Sequence, residues 1–302
     1  MLPNGFHFFE RGWLSSNSLL LQEPDRAVLF DSGYVTHSAQ LLNLVQHTLN
    51  TQPLDVLINT HLHSDHCGGN ALLQSHFSGL KTYIPATQYE DVCHWASSTL
   101  TYELTGQTCP TFSATHALVP NTVLSFCNTH WQVHAAPGHD NDALIFFEPN
   151  HRILISADAL WENGMGVIFP EFLEGVGFEN VAKTYDLIET LQPALVIPGH
   201  GPIFKDVSHA LSISRRKLDS YQSHPVKHAV YAAKVLIKFK LMELHKVSAL
   251  GFMDWCTKQP LLIKIHEHYF EDQLISNWIE DLFLELSNRK ALVILDDLIF
   301  NQ

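Results

Sequence analysis

The segment THLHSDHCGG, residues 60–69, gathers three histidines and one aspartate within six consecutive positions. The apolar run before it predicts a short strand, and the two glycines that end it predict the opening of a helix. Because alternate side chains of an extended backbone point the same way, His61 and His63 can reach one point. Asp65 and His66 fall on the turn and can reach a second point nearby. Neutral imidazole and carboxylate are the ligands that a borderline divalent ion such as zinc prefers, so the segment predicts a metal site.

Three further ligand candidates stand at the ends of predicted strands. They are His139 in APGHD, Asp158 in SADA and His200 in PGHG. The glycine before each histidine allows a tight turn and a close approach of the backbone to a metal site. Each residue alone is typical of a capped strand end, but together with the first segment they complete a donor set for two metal ions.

This ordered set of side chains resembles the ligand set of the metallo-β-lactamase superfamily, in the binuclear layout of glyoxalase II. The resemblance covers about residues 6–204 and implies an α/β fold, a four-layer αββα sandwich with the metals at one edge of the sheets. The implied ligands are His61, His63 and His139 for the first metal and Asp65, His66 and His200 for the second. Asp158 is implied to bridge both ions together with a water or hydroxide. Asp31, in LFDSG, resembles the family's aspartate beneath the metal loop, which implies an orienting role.

The cofactors implied by this resemblance are two divalent metal ions, with zinc as the first choice and iron or manganese as alternatives. Two such cations lower the pKa of a shared water, provide a metal-bridging hydroxide as nucleophile and polarise the substrate oxygen. Asp65 is the expected catalytic residue, since it can hold the hydroxide and accept its proton. No cysteine nucleophile is needed, so Cys67 is expected to pack in the interior. The other histidines considered are expected at the surface or in the core: His94, His116, His134 and His209.

The first two hundred residues alternate short strands and helices. Predicted strands are 18–22, 27–30, 54–59, 81–84, 131–135, 143–147, 153–156 and 194–197, and predicted helices are 36–51, 69–77 and 178–191. Adjacent hairpin-like strands between helices favour sheets covered by helices over a simple doubly wound sheet.

After Pro202 the texture of the sequence changes, because glycine nearly vanishes and long amphipathic runs appear at 229–244 and 272–286. Residues 291–300 predict two strands that turn at Asp296-Asp297. We therefore predict a catalytic domain at 1–206 and a mostly helical, winged-helix-like domain or cap at 207–302. Such a cap would roof the metal cleft. The aromatic run before it is expected either to line the cleft mouth or to form ordinary core: Trp161, Met165, Phe169 and Phe172.

The composition excludes several classes of partner. Hydrophobic residues make up 46% of the chain, enough for a buried core, and the formal net charge of −13 argues against a duplex-coating or cationic membrane-binding protein. The start of the chain lacks a basic flank followed by an apolar run, no stretch of ~18 apolar residues occurs, and the five cysteines form no Cys-x-x-Cys pair. We expect a cytoplasmic protein that acts on a small molecule, with no nucleic-acid or membrane partner; a homo-oligomer is left open.

The family resemblance also narrows the reaction. True β-lactamases lack a bridging aspartate at the position of Asp158, and acyl-homoserine lactonases carry a tyrosine where Trp161 stands. The relatives that process tRNA use a basic arm, whereas Arg215-Arg216-Lys217 is typical of a solvated helix face. The prediction is a metallohydrolase of a small ester, thioester or related acyl compound. Three alternatives stay open: a mononuclear-iron enzyme like the persulfide dioxygenases, a phosphodiesterase or nuclease, and a metal-bearing regulatory effector.

Overall fold

The computed structural model describes residues 2–96, 99–173 and 175–302. Within these residues the chain is an α/β protein with two large sheets, a small third sheet and many helices. The strands are β1 Phe6–Phe9, β2 Ser18–Glu23, β3 Arg26–Phe30, β4 Val56–Ile58, β5 Lys81–Pro85, β6 His116–Leu118, β7 Val123–Phe126, β8 Thr129–Ala135, β9 Leu144–Glu148, β10 Ile153–Ala157, β11 Leu195–Pro198, β12 Lys246–Ser248, β13 Leu292–Leu295 and β14 Leu298–Asn301. The α-helices are α1 Ser38–Leu49, α2 Ser64–Cys67, α3 Asn70–His76, α4 Tyr89–His94, α5 Tyr102–Thr105, α6 Phe169–Leu173, α7 Gly177–Leu191, α8 Val207–Ser223, α9 Pro225–Leu244, α10 Ala249–Lys258, α11 Pro260–Tyr269 and α12 Ile275–Asn288.

The first large sheet contains β1 to β6 in sequence order. Strands β1 to β3 are antiparallel neighbours, and β3 to β6 are parallel neighbours. Alternate residues of β2 serve two different cores. Leu19 and Leu21 pack with residues of the second sheet, whereas Leu20 packs with residues of α1 and α3. The two-residue period that predicts a strand therefore also produces a sheet–sheet layer and a sheet–helix layer.

The second large sheet has the order β11-β10-β9-β8-β7, antiparallel except for the parallel β10–β11 pair. Trp131 of β8 is fully buried between the sheets, with its ring 5.4 Å from that of Phe30. Helix α7 buries Val181, Tyr185 and Ile188. This mixed α/β arrangement confirms the predicted fold class, a four-layer αββα sandwich.

The predicted strands and helices of the first two hundred residues are all present, with ends that differ by a few residues. The prediction omitted β1, β6 and β7. All three lie at a sheet edge, and β6 and β7 bury only one residue each. A strand that buries few side chains needs little apolar alternation, so its sequence signal is weak; β11, an edge strand that is fully buried, was predicted.

The chain divides into two compact units, Met1–Leu100 with Thr108–Leu218 and Thr101–Gln107 with Asp219–Gln302. The second unit contains α9 to α12 and a three-stranded sheet of order β12-β14-β13, in which β13 and β14 turn at the predicted aspartates. This confirms a mostly helical C-terminal region that ends in a hairpin. The domain boundary predicted at residue 206 stays a prediction. None of the described helices offers the long apolar stretch that crossing a bilayer requires.

Candidate metal centre

Loops that follow four strands bring the seven candidate ligands into one buried cluster. The segment after β4 carries His61 and His63 and continues into α2, which carries Asp65 and His66. The loops after β8, β10 and β11 carry the remaining three: His139, Asp158 and His200. None of the seven residues is more than 8% exposed to solvent. Burial of so many polar groups is costly unless they bind one another or a common partner.

The seven side chains separate into two donor groups. In the first, the Nδ1 atom of His63 lies 3.1 Å from Nε2 of His61 and 2.8 Å from Nε2 of His139. The second contains Asp65, His66, Asp158 and His200, and the potential ligand atoms of each group all lie within 4.8 Å of one another. This is the partition that the family resemblance implies, with three imidazoles in one group and mixed carboxylate and imidazole in the other.

Asp158 faces both donor groups with different oxygens. Its Oδ1 lies 3.4 Å from Nε2 of His66, and its Oδ2 lies 3.4 Å from Nε2 of His139 and 3.7 Å from Nε2 of His200. Its neighbour Trp161 donates its indole N–H to Oδ1 at 3.3 Å. The carboxylate is therefore oriented with Oδ1 toward the second group and with Oδ2 between His139 of the first group and His200 of the second.

Neighbouring acceptors set the tautomers of the histidines. Carboxylate and carbonyl oxygens only accept, so His66 donates from Nδ1 to Asp31 at 2.8 Å, and His139 donates from Nδ1 to the carbonyl of Val167 at 2.6 Å. Nε2 of His63 lies 3.3 Å from Oδ2 of Asp140, a carboxylate that can only accept, and this neighbour favours a proton on Nε2. In His63 and His139 the other ring nitrogen keeps its lone pair and faces the first donor group, and Nε2 of His66 faces the second.

His61 follows the same rule through a hydroxyl group. The Thr60 hydroxyl donates to Asp31 Oδ2 at 2.8 Å, so its oxygen accepts from Nδ1 of His61 at 3.1 Å. The ring nitrogens of His61 and His139 that carry lone pairs then lie 3.1 and 2.8 Å from that of His63, so three lone pairs converge. In addition, Nε2 of His66 is buried without a hydrogen-bond partner among the described residues. Converging lone pairs and an orphaned buried nitrogen both fit residues shaped to hold cations.

The charges of the second group also favour cations. Burial alone would lower the pKa of His66, but the carboxylates of Asp158, Asp31 and Asp65 outweigh it and hold the pKa well above its ordinary value. Burial alone would raise the pKa of Asp158, but the charges of His200, His66 and His139 hold it well below the ordinary value. A buried cluster that retains a proton on imidazole beside ionised carboxylates carries excess negative charge, which a divalent ion would balance.

The first group has the opposite electrostatic character. Burial lowers the pKa of both His63 and His139 to about 4, and it lowers that of His61 well below its ordinary value. All three imidazoles are therefore neutral near pH 7, which is the form that binds a metal.

The backbone at the cluster is strained at one position and requires glycine at another. Ala157, directly before Asp158, has a φ of +46°, a conformation that non-glycine residues rarely adopt. A Cβ atom on Gly199 would lie 2.1 Å from Asp158 Oδ1 and 3.0 Å from Cε1 of His66. Only glycine fits this position, as expected for the residue before His200.

Aromatic rings flank both donor groups. Trp13 stacks on His200 at a centroid distance of 5.5 Å although it is 59% exposed, and Trp161 meets the same ring edge-on at 5.4 Å. Phe169 lies 5.3 Å from the ring of His63. Met165, by contrast, is buried and accepts a hydrogen bond from the Tyr185 hydroxyl, so it belongs to the core. Of the predicted cleft residues, Trp161 and Phe169 thus lie beside ligand candidates, and Phe172 is half-buried.

Several remaining expectations are also resolved. Asp31 lies where the resemblance places it, accepting from His66 and Thr60. Cys67 is buried, as expected, and Arg215 is engaged by Asp186 and Glu189 at 2.8 and 3.1 Å. Of the other histidines, three are exposed and one is half-buried: His94, His116 and His209, and His134 respectively.

Sequence reasoning missed three contributors to the centre. The position of Asp140 directly after a candidate ligand could have suggested its role. The Val167 carbonyl and the exposed Trp13 carry no such signal, because each reaches the centre only through tertiary structure.

The chain has two layered sheets, and the strand ends carry one group of three histidines and one group of aspartates and histidines. This arrangement defines a metallohydrolase fold. The sequence model of the metallo-β-lactamase superfamily matches residues 11–200, and the chain belongs to this superfamily. The cluster is consistent with a binuclear metal site of that superfamily.

Individual relatives agree with this assignment. "Probable metallo-hydrolase YqgX" of Bacillus subtilis (strain 168) is 25% identical over 195 residues, which are 63% of this chain and 87% of that protein. The metallo-β-lactamase family protein TTHA1429 from Thermus thermophilus has a TM-score of 0.61 at 14% identity, with 100% of both chains covered. The B3 metallo-β-lactamase BLEG-1 has a TM-score of 0.56 at 22% identity and covers 68% of this chain and 96% of its own. These two solved structures share the fold.

Proposed function

We propose that the protein is a cytoplasmic, binuclear zinc hydrolase of a small ester, thioester or related acyl compound. The observation that carries this proposal is the placement of Asp158, whose two oxygens face two separate buried donor groups. A single tetrahedral ion needs about four ligands, and seven donors with a shared carboxylate suit two ions. In this proposal the first ion is held by His61, His63 and His139, the second by Asp65, His66 and His200, and Asp158 bridges them.

When bound, the ions would supply an activated water and polarise the substrate oxygen. The chain contributes a proton acceptor in Asp65, whose Oδ2 accepts from Nε2 of His200 at 3.1 Å. Burial alone would raise the pKa of Asp65, but the charge of His66 and the hydrogen bond from His200 lower it below its ordinary value. The carboxylate is therefore ionised and able to orient a water and receive its proton. Indole N–H donation from Trp161 keeps the neighbouring Asp158 in place.

The surroundings of the centre favour an acyl substrate over a phosphodiester. Trp13, Trp161 and Phe169 border the donor groups with apolar rings. Arg215 opens the basic run Arg215-Arg216-Lys217, but it is not available to bind a phosphate, because two acidic side chains of α7 bind it. An uncharged acyl compound avoids the repulsion that a phosphodiester would meet from an acidic chain with a net charge of −13.

The test is hydrolysis of a set of esters, thioesters, lactones and phosphodiesters. The esters and phosphodiesters carry 4-nitrophenol as leaving group, the thioesters are followed by thiol release and the lactones by acid release. The full chain is purified without chelators. We expect turnover of an ester or thioester and a fall of roughly ten- to hundred-fold in Asp158→Asn, because this change removes the shared charge. Asp186→Asn, a surface carboxylate of α7, is the control and should retain turnover. Preference for the phosphodiester, or oxygen consumption on a persulfide with a single bound iron, would contradict the proposal.

A further inference from the structure

Two thiols meet beside the turn that carries metal-ligand candidates. Sγ of Cys67 lies 3.7 Å from Sγ of Cys109, and both cysteines are reduced. Cys67 ends α2, directly after His66, and is fully buried. Cys109 lies between α5 and β6 and is half-buried, so one member of the pair is accessible to solvent.

The approach of the two thiols is built into the packing of this segment. Next to Cys109, the backbone N–H of Thr108 donates to the hydroxyl of Tyr34, a fully buried side chain, at 3.2 Å. Further along, Ser113 donates its N–H to Gln74 at 3.0 Å and accepts from the same side chain at 2.6 Å. Contacts on both sides of Cys109 therefore hold its sulfur over α2.

The metal centre does not use this pair of sulfurs. Neither donor group among the described residues includes a cysteine. The Cys67 thiol also lies 3.3 Å from the carbonyl of His63 and 3.5 Å from that of Leu62, within reach to donate to these backbone oxygens. The pair is thus adjacent to the centre without being part of it.

We propose that Cys67 and Cys109 form a redox-sensitive pair that a hydroperoxide converts into a disulfide. The accessible Cys109 thiolate attacks the peroxide oxygen, which gives a sulfenic acid and releases an alcohol, or water when the oxidant is hydrogen peroxide. The Cys67 thiol then attacks the sulfenic sulfur, the S–S bond forms and water leaves. Two thiols and one hydroperoxide thus yield one disulfide, one alcohol and one water. The sulfurs must approach by about 1.7 Å to reach the ~2.0 Å length of a disulfide.

Formation of the disulfide should disturb the second donor group, because the segment that carries Cys67 is packed tightly against neighbouring backbone and cannot adjust freely. A Cβ atom on Gly68 would lie 2.5 Å from the backbone N of Val35, and one on Gly69 would lie 2.4 Å from the carbonyl oxygen of Ser32. The turn at Gly68 and Gly69 therefore packs directly against the backbone of residues 32–35. A shift of Cys67 is passed to its neighbours on the turn, Asp65 and His66. Oxidation should weaken metal binding by the second group.

The experiment treats the full-length, metal-loaded chain with hydrogen peroxide and reads out peptides and metal separately. Non-reducing peptide mapping is expected to show a Cys67–Cys109 link and a mass loss of about 2 Da. Elemental analysis is expected to show loss of about one metal per chain, as disturbed ligand support lowers affinity by roughly ten-fold or more. A dithiol reductant should restore both thiols and, with added metal, the full metal content.

Matched serine variants distinguish oxidation of the Cys67–Cys109 pair from oxidation of other thiols. Cys109→Ser should block both the link and the metal loss, whereas Cys93→Ser, which removes an exposed thiol, should leave both unchanged. Oxidation of Cys109 to sulfinic acid while Cys67 stays a thiol, or a link that leaves the metal content intact, would overturn the inference. The peptide map does not depend on turnover, so absence of hydrolysis would refute the proposed function and leave the inference standing.

Discussion

Replacement of Asp31 by asparagine should weaken the second metal site without touching any ligand candidate. Asp31 is buried, and its carboxylate accepts three hydrogen bonds at 2.8 Å, from the backbone and hydroxyl of Thr60 and from Nδ1 of His66. An asparagine side chain of the same shape can still accept from the Thr60 backbone. Its amide group, however, must face the Thr60 hydroxyl and the His66 ring. The neutral, metal-binding form of His66 would then have to carry its proton on Nε2, the atom that faces Asp158, and not on Nδ1.

The expected loss of metal affinity follows from this change of tautomer. Loss of a partner that orients a ligating histidine costs ~10- to 100-fold in metal affinity, which is about 1.4–2.8 kcal/mol. The metal-free fold should also lose about 2–4 kcal/mol of unfolding free energy, because buried hydrogen bonds to a charged group are replaced by weaker neutral ones. The first donor group should lose less, since it contacts Asp31 only through Thr60.

The assay is a competitive zinc titration of the metal-free chain against a chromophoric chelator, together with urea unfolding. Asp55→Asn is the matched control: Asp55 accepts a hydrogen bond from the Ala27 N–H at 2.8 Å and belongs to neither donor group. The control should bind both ions as the wild type does. Wild-type affinity for both ions in Asp31→Asn would refute the orienting role.

The remaining predictions concern other parts of the centre. In Asp140→Asn the side-chain oxygen should keep the hydrogen bond from the Asp142 N–H, so that the amide NH2 group faces Nε2 of His63 and disfavours its metal-binding tautomer. Affinity at the first donor group should fall by roughly ten-fold, and an equal loss at both groups in a zinc titration would contradict this. Gly199→Ala should abolish binding of the second ion, since its Cβ would displace Asp158, and a crystal structure with an undisturbed carboxylate would disprove the steric argument. Affinity at the second group should rise with pH by up to ~ten-fold per unit, because the ion must displace the proton that the raised pKa retains on His66. The same raised pKa stabilises the metal-free fold fully below about pH 6.5, and this contribution should fade as pH rises further; unfolding titrations that show the opposite slope would reject it.

The sequence predicts the interior of the sandwich better than its edges. Strands such as β2 and β3 carry apolar residues on both faces, so their pattern is strong and the predicted ranges nearly match. Strands β1, β6 and β7 were missed because they bury few side chains and therefore need little apolar alternation. The C-terminal hairpin was found because two apolar runs flank an acidic turn.

Part of the candidate site can be predicted from local sequence, and part depends on contacts that form only in the folded chain. Grouping of His61, His63, Asp65 and His66 is local, so spacing alone indicates it. Their union with His139, Asp158 and His200 was predicted from the positions of these three at strand ends and then from the family resemblance. The structure brings all seven together, while their metal-binding role stays a prediction. The Val167 carbonyl could not have been found, since it is a backbone atom 28 residues from the histidine that it orients.

Native mass spectrometry of the full chain, purified without chelators, tests the central claim most directly. The account predicts two divalent ions per wild-type chain, and one or none in Asp158→Asn, because that carboxylate is the only group whose oxygens face both donor groups among the described residues. A wild-type chain that binds a single ion, with the same count in Asp158→Asn, would contradict a binuclear centre bridged by Asp158.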